Sequence, residues 1–159
     1  FARRPEIRRE TFSVLDLVRE VAERLRDKCR ACEALTIEAS FPAQDCLVSG
    51  DRSQIKQVFM NIAKNGIEAM HEHGVLGIRV VSDSTSVEIR FDDQGAGIPP
   101  DELARIFEPF YTTKPSGVGM GLPVCMRILT AHDGTIRATP REGGGTSVSV
   151  RLPILRQEE

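Results

Sequence analysis

Val14, Leu17, Val18, Val21 and Leu25 recur at the spacing of one helical face, and the pattern predicts a helix from Ser13 to about residue 33. In "SVLD", Ser13 followed three residues later by Asp16 fits a capping box at its start. The period then changes. In "LTIEASF", Leu35, Ile37, Ala39 and Phe41 alternate with Thr36, Glu38 and Ser40, which predicts a half-buried strand. "CLVSGD" reads as a short partner strand. Ile55, Val58, Phe59, Ile62 and Met70 mark a second helix over 52–73, with Gly74 as its C-cap. "VLGIRVVS" and "SVEIRFDD" follow as strands, then a glycine- and proline-rich stretch over roughly 94–121. A third helix is predicted over about 122–132, with Pro123 in its first turn and Gly134 past its end. "TIRATP" and "TSVSVRLPI" close the chain as strands. Strands that follow one another like hairpins imply a largely antiparallel sheet, covered on one face by three helices. The fold class is α/β, a two-layer sandwich.

The length of 159 residues suits a single core. Net charge is −2, so no basic surplus argues for nucleic acid, and 5% aromatics without tryptophan argue against base stacking. No apolar run approaches the ~20 residues of a membrane span. The opening "FARRPEIRRE" lacks the apolar centre of a signal peptide and has no initiator methionine. Residues 1–12 read as a basic, irregular linker within a longer protein. Cys29 and Cys32 have a C-x-x-C spacing, but they fall on the predicted first helix, with no second pair to complete a zinc site. Together with Cys46 and Cys125 they read as reduced thiols.

Four places break this pattern. Asn61 and Asn65 are one helical turn apart on the shoulder of the second helix. They are either ordinary polar edge residues or oxygen ligands for Mg²⁺, which takes one or two protein ligands beside phosphate. Asp93 shares strand parity with Val87, Ile89 and Phe91, so it points inward, where an acid needs donors. It either caps a turn or binds a ligand. Asp92 faces out and is available for capping, which favours the ligand reading. Thr146 shares parity with Val148, Val150 and Leu152, and so also points inward, after Gly143, Gly144 and Gly145. The two inward polar groups suggest a polar patch at the floor of an apolar pocket. Finally, "FYTTKPSGVGMGL" sets Gly117, Gly119 and Gly121 before a helix. This is either a loose surface loop or a backbone cradle for an anion, with Lys114 adding a full charge and the helix N-terminus a partial one. It matches neither the P-loop nor the dinucleotide fingerprint.

Taken in order, "NIAKNGIEAM", "DQGAGI", "IFEPFYTTKPSGVGMGL" and "GGGTSVSVRLP" resemble the catalytic ATP-binding domain of sensor histidine kinases. That domain belongs to the superfamily of DNA gyrase, mismatch-repair ATPases and the heat-shock chaperone ATPase. The resemblance spans roughly residues 12–154, and "NGIEAM" and "FEPFYTTK" are similar to the nitrogen-regulation-like branch. It implies the Bergerat-type ATP-binding fold, with a mixed, mostly antiparallel sheet and a mobile ATP lid. It divides the chain into a linker over 1–12, the ATP-binding domain over 13–155 and a tail over 156–159. It assigns Asn65 to Mg²⁺ and Asn61 to the same box, and Asp93 to the adenine amino group. Gly95, Gly97 and Ile98 border the base and Thr146 helps hold it. Phe107 and Phe110 anchor the lid. Lys114, with the backbone at Gly117, Gly119, Gly121 and Leu122, meets the phosphates. Two positions depart from the pattern. Gly66 replaces the usual alanine, at about 1 kcal/mol of helix propensity, and Glu68 stands where some members carry a basic residue.

Hydrolytic relatives carry a glutamate four residues before the Mg²⁺ asparagine. Here that position is Asn61, whose neutral amide is a poor base. Neutral imidazole is already nucleophilic, so the residue type favours transfer to a protein histidine, with Asn61, Asn65 and Lys114 as the catalytic set. His71 and His73 fall at a polar helix end and read as solvated. His132 falls in a last turn, where positive charge suits the helix dipole. The resemblance therefore implies an acceptor histidine on a dimerisation segment before residue 1 and a response-regulator receiver domain as the onward partner. It implies a cytoplasmic domain with no direct nucleic-acid or membrane contact. The isolated domain is expected as a monomer, its parent as a homodimer, either free or membrane-anchored. A serine kinase of the same superfamily and a non-enzymatic nucleotide-binding scaffold remain as alternatives.

Overall fold

The structure, a computed structural model, describes residues 6–109, 111 and 121–156. In chain order its elements are β1 (Glu10–Ser13), α1 (Val14–Lys28), β2 (Leu35–Ser40), β3 (Leu47–Gly50), α2 (Arg52–Ala69), β4 (Gly74–Ser82) and β5 (Ser86–Asp92). They continue with α3 (Pro100–Leu103), α4 (Gly121–Ala131), β6 (Thr135–Pro140) and β7 (Thr146–Pro153). Five strands form one sheet in the order β2-β4-β5-β7-β6. The pairs β4–β5, β5–β7 and β6–β7 are antiparallel.

Strand parity decides which residues build the core. Leu76, Ile78 and Val80 of β4, Val87, Ile89 and Phe91 of β5, and Val150 and Leu152 of β7 are all buried. Against them pack Leu17, Val18 and Leu25 of α1, Ile55, Val58, Phe59 and Ile62 of α2, and Ile128 and Leu129 of α4. The rings of Phe59 and Phe91 meet with centroids 5.8 Å apart. Ser13 caps α1 as its pattern predicts, accepting the N–H of Asp16 at 3.1 Å. Asp16 instead pairs with Arg19.

The structure departs from the sequence expectations at several places. The hairpin-like succession of strands did not mark the parallel pairing of β2 with β4, which makes the sheet mixed as the resemblance implies, because α2 fills the crossover that such a join requires. The "CLVSGD" strand, β3, pairs with residues 10–13 in a separate two-stranded sheet. Those residues are therefore strand rather than irregular linker, and Phe12 enters the core. α1 ends at Lys28, with Cys29 as its C-cap, so Cys29 and Cys32 lie beyond the helix. α2 ends at Ala69 with Met70 as C-cap, and Gly74 opens β4 with φ +110°. Within the glycine- and proline-rich stretch, residues 100–103 form α3 after Pro99.

His132 is buried, not a charged helix-end residue. Its Nε2 accepts the N–H of Asp51 at 2.9 Å, so Nδ1 carries the proton and donates to the Ile128 carbonyl at 2.7 Å. Gly50 leaves room for the ring, since a Cβ there would lie 2.6 Å from His132 Cδ2. His71 and His73 are exposed, as read from the sequence. Among the described residues, no helix is long and apolar enough to cross a membrane.

Candidate functional site

The end of β5 and the start of β7 bring Asp93 and Thr146 side by side with 7% and 5% of their surface exposed. The backbones pair, Asp93 N–H donating to Thr146 O at 3.0 Å. Asp93 Oδ1 accepts the N–H groups of Gly95, at 2.9 Å, and Thr146, at 3.2 Å. Oδ2 lies toward α2, where a Cβ at Gly66 would approach it at 3.7 Å. One oxygen thus does the turn-capping work, and the acid's other oxygen faces the helix that carries Asn65. Burial pushes the Asp93 carboxyl above its ordinary range, against the opposing pull of the two N–H groups and the nearby Arg141. Arg141 also donates to the Asp93 carbonyl at 2.7 Å. Asp92 is half-buried and bonded by the Ser147 hydroxyl.

Above this acid is a cavity of about 90 Å³. Of the residues expected at the site, it brings together Asn65, Asp93, Gly97, Ile98, Leu122 and Thr146. Its apolar walls are Ile62, Leu76, Phe91, Ile106 and Val148. An apolar cavity over one buried carboxylate suits an apolar-faced heterocycle that offers a single donor. Gly66, where the resemblance expects alanine, lies on the cavity wall, and a Cβ there would come within 3.0 Å of Leu76 Cδ1.

Other expected residues fall elsewhere. Asn61 is outside the cavity lining, and its amide donates to Cys125 Sγ on α4 at 3.8 Å. Gly95 packs against the end of α2, where a Cβ would meet the Ala69 carbonyl at 2.7 Å. Phe107 is half-buried against the core, and Gly121 opens α4. Phe110, Lys114, Gly117 and Gly119 lie outside the described residues. The sequence reading named Gly145 only within a glycine run and missed its role: its φ is +96° and its Cβ would overlap the Asp93 carbonyl oxygen. It also missed Arg141 and Ile106. Phe91 and Val148 were legible as cavity walls, because they share inward parity with Asp93 and Thr146. Ile106 sits where no periodicity marks it.

A larger, open depression of about 480 Å³ lies on the outer face of the sheet, where Gly77 leaves a gap between Glu38 and Asp92 beside Ser40 and Arg79. Ile37, Ala39 and Ile78 contribute to its walls, but it holds no buried acid and shares no lining residue with the cavity over Asp93. Among the described residues, no group of three or more His, Cys, Asp or Glu side chains could hold a metal.

Residues 50–156 match the family described as histidine kinase-, DNA gyrase B- and HSP90-like ATPases. The chain is 39% identical over 146 residues to sporulation kinase C of Bacillus subtilis, covering 91% of this chain and 34% of that protein. It therefore spans about a third of that relative's length. The catalytic domain of histidine kinase ThkA superposes with a TM-score of 0.83 at 33% identity, covering 91% of this chain and 95% of that one. Histidine kinase ThkA in complex with the response regulator TrrA superposes with a TM-score of 0.81 at 30% identity, covering 92% of this chain and 42% of that one. With its buried acid at the end of β5 and its asparagine on α2, this chain belongs to the family of histidine kinase-, DNA gyrase B- and HSP90-like ATPases.

Proposed function

We propose that this domain binds ATP with Mg²⁺ and transfers its terminal phosphoryl group to a histidine on a separate helical dimerisation segment, from which a response-regulator receiver domain takes it. The observation that carries this reading is Asp93. It is a buried acid with one oxygen held by two backbone N–H groups and the other turned toward a 90 Å³ apolar cavity. That free acceptor oxygen fits an adenine amino group, and Asn65 in the same lining fits a cation that needs few protein ligands. Bound Mg²⁺-ATP supplies the phosphoryl group and the charge neutralisation. The chain's own residues orient the base at Asp93 and Thr146 and exclude water with Ile62, Leu76, Phe91 and Ile106. Lys114 and the glycines at 117, 119 and 121 are proposed to hold the phosphates.

Two features favour transfer over hydrolysis. Asn61 is a neutral amide already engaged with Cys125, so it offers no base for water. A neutral imidazole needs none, attacking the phosphorus through its free nitrogen as ADP departs. The likeness to ThkA, whose complex contains a response regulator, supports the onward partner.

The test is to incubate the chain with radiolabelled Mg²⁺-ATP and the histidine-bearing helical segment of its parent. Label on that segment that is lost in acid and kept in base is the expected result. Acid-stable label would identify a hydroxyl acceptor instead, and no transfer with ATP bound would leave only a nucleotide-binding scaffold.

A further inference from the structure

Once α1 is seen to stop at Lys28, the C-x-x-C pair changes character. Cys29 caps the helix, its N–H bonding Leu25 O at 3.0 Å, and the Cys32 N–H returns to Cys29 O at 2.9 Å. That closure is a β-turn with the two cysteines at its ends, which holds their Cα atoms within about 7 Å. A disulfide spans Cα separations of roughly 4.4–6.8 Å. Both residues are half-buried free thiols, so an oxidant can reach them, whereas Cys46 and Cys125 are buried.

The pair also touches the end of α2. Cys32 Sγ lies 3.4 Å from Glu72 Oε2 and donates to it. His71 and Glu72 are consecutive non-glycine residues at φ 52° and 61°, a conformation that persists only where neighbours hold it. The same chain end carries Ala69, whose carbonyl packs under Gly95. The hydrogen bond to the Glu72 carboxylate, followed by desolvation, raises the pKa of Cys32.

We propose that Cys29 and Cys32 form a reversible dithiol–disulfide site whose oxidation frees Glu72 at the end of α2. With a low-molecular-weight disulfide RSSR as oxidant, the Cys29 thiolate attacks one sulfur and expels one RS⁻, which is protonated. Cys32 gives its proton to Glu72 and displaces the second RS⁻ from Cys29, and Glu72 passes that proton to the departing RS⁻. The balance is two thiols and RSSR to one internal disulfide and two RSH. Because the inference concerns a thiol pair outside the cavity, it stands apart from the nucleotide reading.

The chain is equilibrated with glutathione mixtures of rising oxidised fraction, quenched in acid, unfolded and alkylated, and its mass is measured. The expected result is a step from four alkylated cysteines to two, with no glutathione adduct. Fragmentation should place the bridge between residues 29 and 32. Cys29→Ser and Cys32→Ser should each abolish the step. Four alkylated cysteines at every ratio, a bridge using Cys46 or Cys125, or crosslinked dimers would overturn the site. Amide hydrogen exchange over residues 70–74 should quicken in the oxidised chain, and unchanged exchange there would overturn the release of Glu72.

Discussion

His132, just past the end of α4, accepts the backbone N–H of Asp51, the N-cap of α2, at 2.9 Å. The helix that begins at Gly121 beside the cavity is thereby fastened at its far end to the start of the helix that carries Asn65. Arg9 adds to the same junction, donating to Ser49 O and Ala131 O, both at 3.3 Å.

His132→Ala removes that fastening, leaves a buried N–H unpaired and opens a cavity under Gly50. The expected loss is about 2–4 kcal/mol of folding stability, read from urea unfolding. Nucleotide affinity of the folded protein should change far less, because His132 does not line the cavity.

Asp93→Asn should keep the fold and lose the ligand. The remaining oxygen is claimed by the N–H groups of Gly95 and Thr146, so the new NH₂ faces the cavity, where it cannot accept a hydrogen bond. Losing a bond to a charged acceptor lowers ATP affinity by about 10- to 100-fold, measured by calorimetric titration. Stability should move the other way. The folded carboxyl titrates above the ordinary 3.8 of an aspartate, so the wild type loses stability as pH rises from 3.8 through that raised value. The variant should not show this fall, and at neutral pH it should be at least as stable as the wild type.

Gly143 and Gly145 are both left-handed, at φ +88° and +96°, but only Gly145 is crowded. Gly143→Ala should cost about 1 kcal/mol of backbone strain, since nothing lies within 4 Å of its Cβ. Gly145→Ala drives a methyl group into the Asp93 carbonyl and should cost at least twice as much, weakening nucleotide binding as Asp93 shifts. Thermal melts and ATP titration of the two variants check this contrast.

Cys125 is buried against Asn61 and the Val58 carbonyl, and burial pushes its thiol up to about 11 from 9.0. The sign follows from the raised value. The stability it contributes is whole below pH 9.0 and is lost as pH rises toward about 11, amounting to about 2–3 kcal/mol. Urea unfolding from pH 8 to 11 should show that decline, flattened in Cys125→Ala.

The inward positions of Asp93 and Thr146 were legible because strand parity is local. A period of two alternates faces whatever the strand's partner, so Phe91 and Val148 mark the face on which the acid sits. The helical stripes of α1 and α2 were legible for the same reason. The role of Asn61 was not, because its partner Cys125 is 64 residues away and its reach toward α4 depends on how two helices pack. Gly145 was visible as part of a flexible run, but its need to pass the Asp93 backbone exists only once β5 and β7 are paired.

Local periodicity, capping chemistry and motif order thus determined which segments form helices and strands, which side chains face inward and which family the chain resembles. Tertiary structure decided the parallel join of β2 to β4, the strand made by residues 10–13 and the end of α1 at Lys28. It also decided the neutral, doubly bonded state of His132 and the split duty of the two Asp93 oxygens. The physical reason is that each of these outcomes is a contact between segments distant in the chain. Its energy depends on packing and backbone hydrogen bonding across elements, and no window of neighbouring residues contains that information.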